Sequence, residues 1–270
     1  MTMRARWAVL GAAAAALGVA AACGDVPTLV QGIAYITPII TPSPTVAYGD
    51  TLRDSLGHAA PLRVVALGRT PGDTIRGFAL RYLFTSLGTG ATVDENGYLV
   101  APDSLLTLRL VAQATDPTGG SGLQLQTPEI SIDVVPRADT IYNANTPDTA
   151  TALPFVKPVA VTVAGMGPSV RGTVAGIVVT YRIQAVYPAL PTAGRYYLAD
   201  AQSNVLHPDS TIAIDTTKSG GLSQRSFIGV LAPNGGANAD SVVVSASARS
   251  QKGVPLSGSP VLITIRIKKS

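Results

Sequence analysis

Two stretches of the sequence, residues 73–82 and 172–181, carry the same pattern of side chains. Threonine, glycine and tyrosine occupy the same three places in both stretches, 99 residues apart, and apolar residues match between them. Residues 127–134 are matched in the same way by residues 259–267, but 132 residues apart. The difference between the two offsets indicates that the second copy carries about 33 additional residues. Repetition at this period predicts two similar domains in tandem.

Each copy has the residue pattern of short β-strands. Residues 62–67 and 159–163 are rich in valine, and residues 106–110 alternate leucine with Thr107 and Arg109. Because successive side chains of a strand point to opposite faces, the leucines should face a core and Thr107 and Arg109 should face solvent. The 27 glycines and 20 prolines divide these strands by turns. The pattern therefore predicts an all-β chain, most simply two β-sandwiches.

The first 22 residues have the pattern of a signal peptide. Arg4 and Arg6 precede an apolar run from residue 7 to residue 22 that ends in small residues before Cys23. The run is shorter than the roughly 20 residues that a membrane-spanning helix needs. We therefore expect export and removal of this segment.

Cys23 is the single cysteine of the chain and directly follows three alanines. This pattern resembles the lipobox of bacterial lipoproteins, although alanine stands at residue 20 where leucine is usual. The resemblance implies a diacylglyceryl group on Cys23, a lipid anchor in the cell envelope, and, because Gly24 and not aspartate follows, the outer membrane. A lipidated cysteine also explains a lone thiol in an exported protein. Cleavage by an ordinary signal peptidase, which would release a soluble protein, remains the alternative.

Three weak motifs resemble the bacterial immunoglobulin-like superfamily of cell-surface proteins and envelope lipoproteins. They are the segment 49–51 (GDT), the Thr-x-x-Gly strand before each matched tyrosine, and the segment 216–221 (TTKSGG). The resemblance implies tandem immunoglobulin-like sandwiches. The expected organisation is a signal peptide at 1–22, a lipidated cysteine and proline-containing tether at 23–47, a first domain at 48–137, and a second at 138–270 with an insertion near 185–238.

Residues suited to catalysis are few. The two histidines, His58 and His207, stand alone, the two glutamates are Glu95 and Glu129, and no Gly-x-Ser-x-Gly motif is present. The sequence therefore predicts a protein that is not an enzyme and that needs no metal or cofactor. A hydrolase with an unrecognised site remains the less favoured alternative.

Oxygen-bearing side chains at Asp94, Glu95 and Asn96, together with Asp116, raise the question of a calcium site. Calcium takes six to eight oxygen ligands, and no EF-hand spacing is present. Because Gly97 follows, the simpler interpretation is a hairpin turn.

Three tyrosines in the additional segment of the second copy, Tyr187, Tyr196 and Tyr197, are the candidate binding residues. Adjacent residues of a strand face opposite sides, so at most one of the neighbouring pair can point into a core. An exposed aromatic side chain there could contact a protein or a glycan. Residues 185–238 are accordingly the expected binding region.

The charge of the chain does not favour nucleic acid as a partner. The formal net charge is +4 and becomes +2 without Arg4 and Arg6. Apart from Arg266, Lys268 and Lys269 near the C-terminus, the remaining cations are dispersed rather than clustered in a patch. The sequence thus predicts an envelope lipoprotein with a structural, adhesion or binding role. Its expected partners are the membrane and an envelope protein or glycan, with a glycan-binding module as the main alternative.

Overall fold

A computed structural model describes residues 33–68, 72–76, 78–86, 88–115, 124–144, 151–192, 195–204, 210–231 and 237–268. All regular secondary structure in these residues is β, which confirms the all-β prediction. No helix in this part of the chain is long and apolar enough to cross a membrane. The strands are β1 (Tyr35–Ile36), β2 (Thr45–Ala47), β3 (Ala66–Leu67), β4 (Thr74–Ile75), β5 (Ala79–Phe84), β6 (Thr92–Val93), β7 (Leu99–Val100), β8 (Thr107–Thr115), β9 (Gln124–Gln126), β10 (Ile130–Val135), β11 (Arg137–Asn143), β12 (Phe155–Met166), β13 (Arg171–Thr173), β14 (Val178–Tyr187), β15 (Tyr196–Ala199), β16 (Ile212–Thr216), β17 (Leu222–Gly229), β18 (Ser241–Ala248) and β19 (Val261–Arg266).

The chain divides into two compact units. The first comprises the described parts of Met1–Thr37, Val65–Ala79 and Ala114–Leu125, and contains the antiparallel sheet β1-β3-β4. The second comprises the described parts of Pro38–Val64, Leu80–Gln113 and Gln126–Ser270.

The large unit contains two sets of sheets, and each described sheet draws its strands from one side of Pro136. The first set is built on the order β2-β10-β8-β5, in which β2 runs parallel to β10 and β8 runs antiparallel to it. Leu108 and Leu110 are fully buried on β8, whereas Thr107 and Arg109 are exposed. The predicted alternation is therefore confirmed. The predicted domain boundary at 137/138 falls at the first residues of β11, and the division into two domains stays a prediction.

The second set is a sandwich of two four-stranded layers. One layer has the order β11-β12-β17-β15, with β13 paired to the end of β12, and the other has the order β16-β14-β18-β19. The spatial order of the strands resembles the ABED and C′CFG layers of an immunoglobulin-like sandwich, except that β15, at the place of D, comes before β16, at the place of C′, in the chain. Buried residues from both layers form one hydrophobic cluster, as expected when two amphipathic sheets pack face to face.

The repeated segments form the same succession of strands. A short strand precedes a long one that carries the matched tyrosine: β4, in the sheet of the small unit, precedes β5, and β13 precedes β14. Tyr82 donates a hydrogen bond to the carbonyl of Leu62 (2.9 Å) and Tyr181 donates one to the carbonyl of Ser223 (2.8 Å). Burial raises the pKa of both phenols to about 12. Tyr181 is thus a fully buried core residue and Tyr82 is half-buried against the core, and both hydroxyls satisfy backbone carbonyls.

The additional residues of the second copy build strands. Residues 185–238 contain β15, β16 and β17, and β17 lies at the centre of its layer, paired with β12 from Leu222 to Gly229. Between β5 and β8 of the first set, the described strands are only the short pair β6 and β7. The insertion therefore completes the second sandwich.

The end of the predicted tether also belongs to the sheets. The prediction placed residues 23–47 in an extended tether, yet the described residues from 33 onward include β1 and β2. Ile36 and Val46 are buried, and β2 pairs with β10, so these residues are packed and hydrogen-bonded. Prolines at 38, 42 and 44 separate the strands without preventing the pairing.

Five turns in the described part of the chain share one hydrogen-bond pattern: 54–58, 94–98, 200–204, 218–222 and 250–254. In each, the amide of the first residue donates to the carbonyl of the fifth, and the amide of the fourth donates to the carbonyl of the first. The fourth residue has a positive φ and is glycine in four of the five turns, with Ser203 in the other. Two of these turns, 54–58 and 250–254, meet at the candidate site.

Candidate functional site

A groove lies where the two sets of sheets meet inside the large unit. Its volume is about 580 Å³, within the range of small-molecule sites. One wall comes from β2 and the turn 54–58, and the other comes from the start of β14, the end of β18 and the turn 250–254. The lining residues are Pro42, Ser43, Pro44, Thr45, Val46, Ala47, Thr51, Arg53, Asp54, Ser55, Gly176, Ile177, Val178, Thr180, Thr216, Ser247, Ala248, Arg249, Ser250, Gln251, Pro255, Ser259 and Pro260.

The two turns that border the groove have the same local structure. An arginine precedes each turn, and its Nη1 donates to the carbonyl of the glycine at the fourth place: Arg53 to Gly57 (2.9 Å) and Arg249 to Gly253 (2.8 Å). Each arginine also forms a β-bridge with the residue six positions on. The backbone of each turn thus holds one guanidinium at the groove.

The two turns touch through their glycines. A Cβ on Gly57 would lie 2.5 Å from the carbonyl carbon of Lys252 and closer still to the amide nitrogen of Gly253. A Cβ on Gly253 would lie 2.5 Å from the carbonyl oxygen of Leu56. Only glycine permits this approach and also adopts the positive φ of 89° at Gly57 and 76° at Gly253 without strain.

Asp50 connects the two walls electrostatically. Its carboxylate lies 3.1 Å from Arg53 Nη2 and 3.7 Å from Lys252 Nζ, and it accepts a hydrogen bond from the amide of Thr51 (2.8 Å). Burial raises the pKa of Asp50, but the hydrogen bonds from Arg53 and Thr51 and the charges of Arg53 and Lys252 outweigh it and hold the pKa below its usual value. The ionised carboxylate is therefore the form that joins the turns.

Replacing Asp50 by Asn should lower the free energy of unfolding by about 1.5 kcal/mol at neutral pH, since two charge-assisted contacts are lost. A carboxyl whose folded pKa is depressed contributes stability above its unfolded pKa, 3.8, and loses that contribution as pH falls through the lower folded value. The difference between wild type and variant should therefore close below pH 3.8. Urea titrations across this range measure it, and a pH-independent gap would contradict the ionic role.

Further polar contacts join the two sets of sheets. Arg137 donates to the carbonyl of Tyr48 (3.2 Å from Nη2), and its guanidinium carbon lies 4.5 Å from the centroid of the Tyr48 ring. Gln251 accepts from the amide of Ala138 (3.0 Å) and donates to the carbonyl of Pro136 (3.0 Å). These contacts tie the connection at residues 136–138 to Tyr48 of the first set and to Gln251 of the second set.

The structure separates the three candidate tyrosines. Tyr196 is fully buried, stacks on Phe227 with ring centroids 6.2 Å apart, and accepts a hydrogen bond from the amide of Ala239 (3.1 Å). It is therefore a core residue and not part of the predicted binding surface. Tyr187 is 56% exposed and Tyr197 is half-buried, but they belong to β14 and β15 in different layers. The two do not form one aromatic platform.

The other residues considered from the sequence do not come together. His58 is exposed in the turn 54–58, where its Nδ1 lies 3.6 Å from Asp54 Oδ2. Cys23, Asp116 and His207 lie outside the described residues. Glu129 accepts a hydrogen bond from Thr85 (2.6 Å) and lies 3.6 Å from Arg109. In the described part of the chain, no three histidine, cysteine, aspartate or glutamate side chains are grouped to hold a metal ion.

Asp94 is turned toward its own hairpin. Its Oδ1 accepts hydrogen bonds from the amides of Asn96 (3.0 Å) and Tyr98 (2.7 Å), and Gly97 adopts a φ of 87°. The hairpin interpretation of this segment is thus confirmed, since the carboxylate is used to order the turn.

Replacing Asp94 by Ala should destabilise the protein by about 1 kcal/mol, because two turn amides lose their acceptor. The adjacent Glu95→Ala is the control and should change stability by less than about 0.5 kcal/mol, as expected for an exposed side chain. Urea denaturation measures both. Calcium chloride should leave the wild-type midpoint unchanged, whereas a calcium-dependent increase that Asp94→Ala abolishes would restore the metal interpretation.

Sequence reasoning did not find the arginine pair of the groove. A signal was present, since residues 53–57 (RDSLG) and 249–253 (RSQKG) share arginine and glycine at the same spacing. Two matching positions are too few to stand out in a single sequence. The pairing of the turns became visible only when the fold placed them in contact.

Comparison with known proteins identifies no family for this chain. No protein-family model matches it, and no curated protein matches it. One similar solved structure is described as "Crystal Structure of Rst D1-D2"; it is 12% identical, covers 83% of this chain and 93% of its own, and has a TM-score of 0.28. Another, a protein of unknown function from Porphyromonas gingivalis W83, is 13% identical, covers 87% of this chain and 96% of its own, and has a TM-score of 0.21.

Proposed function

We propose that this protein is a non-enzymatic lipoprotein of the cell envelope that acts as a scaffold and presents a binding groove. The observation that carries the proposal is the junction of the two sets of sheets, where paired turns and arginines border a groove of about 580 Å³. Such a groove on a rigid β-scaffold suits binding, because function on these folds resides in the loops that the sheets position.

The envelope location rests on the sequence. The segment before Cys23 has the pattern of a signal peptide, and the three alanines before the cysteine resemble a lipobox. Acyl chains on Cys23 would fix the protein to a membrane, since each buried CH₂ contributes about 0.8 kcal/mol. The outer membrane is the proposed location because Gly24, not aspartate, follows the cysteine.

The scaffold role is supported by the way the two sets of sheets are joined. Asp50 pairs with Lys252, and Arg137 donates to the carbonyl of Tyr48, so both contacts join segments that are far apart in the sequence. Gln251 donates to the carbonyl of Pro136, which lies in the connection between the two sets. Together with the contact of Gly57 on Gly253, these interactions favour a fixed arrangement of the two walls of the groove. A fixed arrangement lowers the entropic cost of binding a partner.

The anchor is tested by the intact mass and the fractionation of the protein, alongside a Cys23→Ser variant. We expect the wild type in the membrane fraction, with a mass equal to residues 23–270 plus acyl chains, and the variant without these chains. A Ser86→Cys variant of the Cys23→Ser chain is the matched control, because it restores a thiol without the lipobox position. An unmodified wild-type chain in the soluble fraction would overturn the anchor.

A further inference from the structure

We propose that the groove between the turns 54–58 and 250–254 binds an acidic saccharide chain, with Arg249 as the principal contact for its anionic groups. This inference rests on the proposed binding role and specifies the ligand class. It follows from the donors, charges and hydroxyl groups that line the two walls.

Arg53 and Arg249 both have guanidinium N–H groups that make no hydrogen bond within the described part of the chain. Arg53 uses its Nε and Nη2 on Asp50 and its Nη1 on the carbonyl of Gly57. Arg249 uses Nη1 on the carbonyl of Gly253. Because a guanidinium carries five N–H donors in a planar fork, Arg249 retains most of them for a carboxylate or phosphate.

The carboxylates beside the groove already have partners within the protein. Asp50 is paired with Arg53 and Lys252. Asp54 accepts from the amides of Leu56 and His58 through Oδ1 and faces His58 through Oδ2. Among the described charged residues that line the groove, Arg249 has no carboxylate within ion-pair distance. An anionic ligand would supply the missing partner.

The remaining polar lining consists largely of hydroxyl groups. Thr51 and Ser55 stand on one wall, and Thr180, Thr216 and Ser250 stand on the other. Hydroxyls both donate and accept, as do the hydroxyls of a saccharide. The lining residues include no aromatic side chain, so charge and hydrogen bonds, not ring stacking, would provide recognition.

An acidic peptide fits the groove less well. A peptide that adds to a sheet edge needs unpaired backbone groups. On β2, the Oγ of Ser43 accepts from the amide of Thr45 (3.2 Å) and donates to its carbonyl (2.9 Å), and the carbonyl of Ala47 accepts from the amide of Asp50 (3.2 Å). These contacts occupy the amide and carbonyl of Thr45 and the carbonyl of Ala47 at the edge that borders the groove, which favours a ligand bound through side chains.

The test is calorimetric titration of the purified full chain with oligogalacturonate and with a phosphorylated dextran as acidic saccharide probes. Unmodified dextran and poly-L-glutamate are the controls for neutral saccharide and acidic peptide. We expect at least one acidic saccharide to bind, with an affinity that falls as sodium chloride is added. The probe that binds distinguishes carboxylate from phosphate recognition.

Two variants locate the site. Arg249→Gln should weaken binding by about tenfold, the effect of losing one charge-assisted contact, while Arg81→Gln, an exposed arginine of β5, should leave it unchanged. Equal binding of poly-L-glutamate, equal binding of neutral dextran, or equal losses in the two variants would each overturn the proposal. Absence of binding by every probe would also overturn it, yet would leave the anchored scaffold intact, because fractionation tests that separately.

Discussion

Replacing Gly57 by Ala is expected to lower the free energy of unfolding by about 3 kcal/mol, through positive φ strain and overpacking together. Gly57 adopts a φ of 89°, where a side chain costs about 1–2 kcal/mol. The new methyl group would also lie 2.5 Å from the carbonyl carbon of Lys252, and backbone cannot move aside as a flexible side chain can. The two turns must therefore separate or the strained conformation must change.

Gly72→Ala separates these two causes. Gly72 has a φ of 85°, but a Cβ there would meet no atom within 4 Å, so only the conformational strain applies. Urea unfolding of both variants should show a loss of about 1 kcal/mol for Gly72→Ala, near the lower end of that strain, and a clearly larger loss for Gly57→Ala. Equal losses would show that the contact between the turns contributes nothing. If the two turns separate in Gly57→Ala, the binding of any ligand to the groove should also weaken.

Replacing Phe227 by Ala is expected to cost about 3–5 kcal/mol, the range for a large aromatic side chain in a core. Phe227 is fully buried on β17, the central strand that pairs with both β12 and β15. Its ring centroid lies 5.8 Å from that of Phe155 and 6.2 Å from that of Tyr196. Truncation would leave a cavity and remove both ring contacts.

Leu222→Ala on the same strand is the control. Leu222 is 39% exposed, so its truncation should cost about 1 kcal/mol or less. Thermal or urea unfolding followed by circular dichroism measures both variants. A Phe227→Ala variant no less stable than Leu222→Ala would contradict the assignment of the aromatic cluster as the centre of the second sandwich.

The strands were predictable because they depend on local pattern. The leucines of residues 106–110, and the alternation of Ile263 and Ile265 with exposed neighbours on β19, place one face of each strand in the core. The matched segments likewise each form a short strand followed by a long one. The place of residues 185–238 was not predictable in this way, since strand pairing in a sandwich joins segments that are distant in the sequence.

The candidate site was predicted less well than the fold. Sequence reasoning limited the pair Tyr196 and Tyr197 to one core-facing member, but only packing against Phe227 decided that Tyr196 is that member. It favoured aromatic residues of the second domain and did not consider Arg53 or Arg249. Both arginines reach one groove only because two turns that are nearly 200 residues apart in the sequence, 54–58 and 250–254, lie together in the fold.

By itself, the sequence determined the all-β class, the repeat of strand patterns, and the turn at Asp94–Gly97, since each follows from residue spacing and backbone preference within a few positions. The tertiary structure alone decided that Gly57 rests on Gly253, that Asp50 joins Arg53 to Lys252, and that Arg249 borders a groove. These features arise from close packing between distant segments. No local preference encodes such contacts, because they depend on where the whole chain brings its turns together.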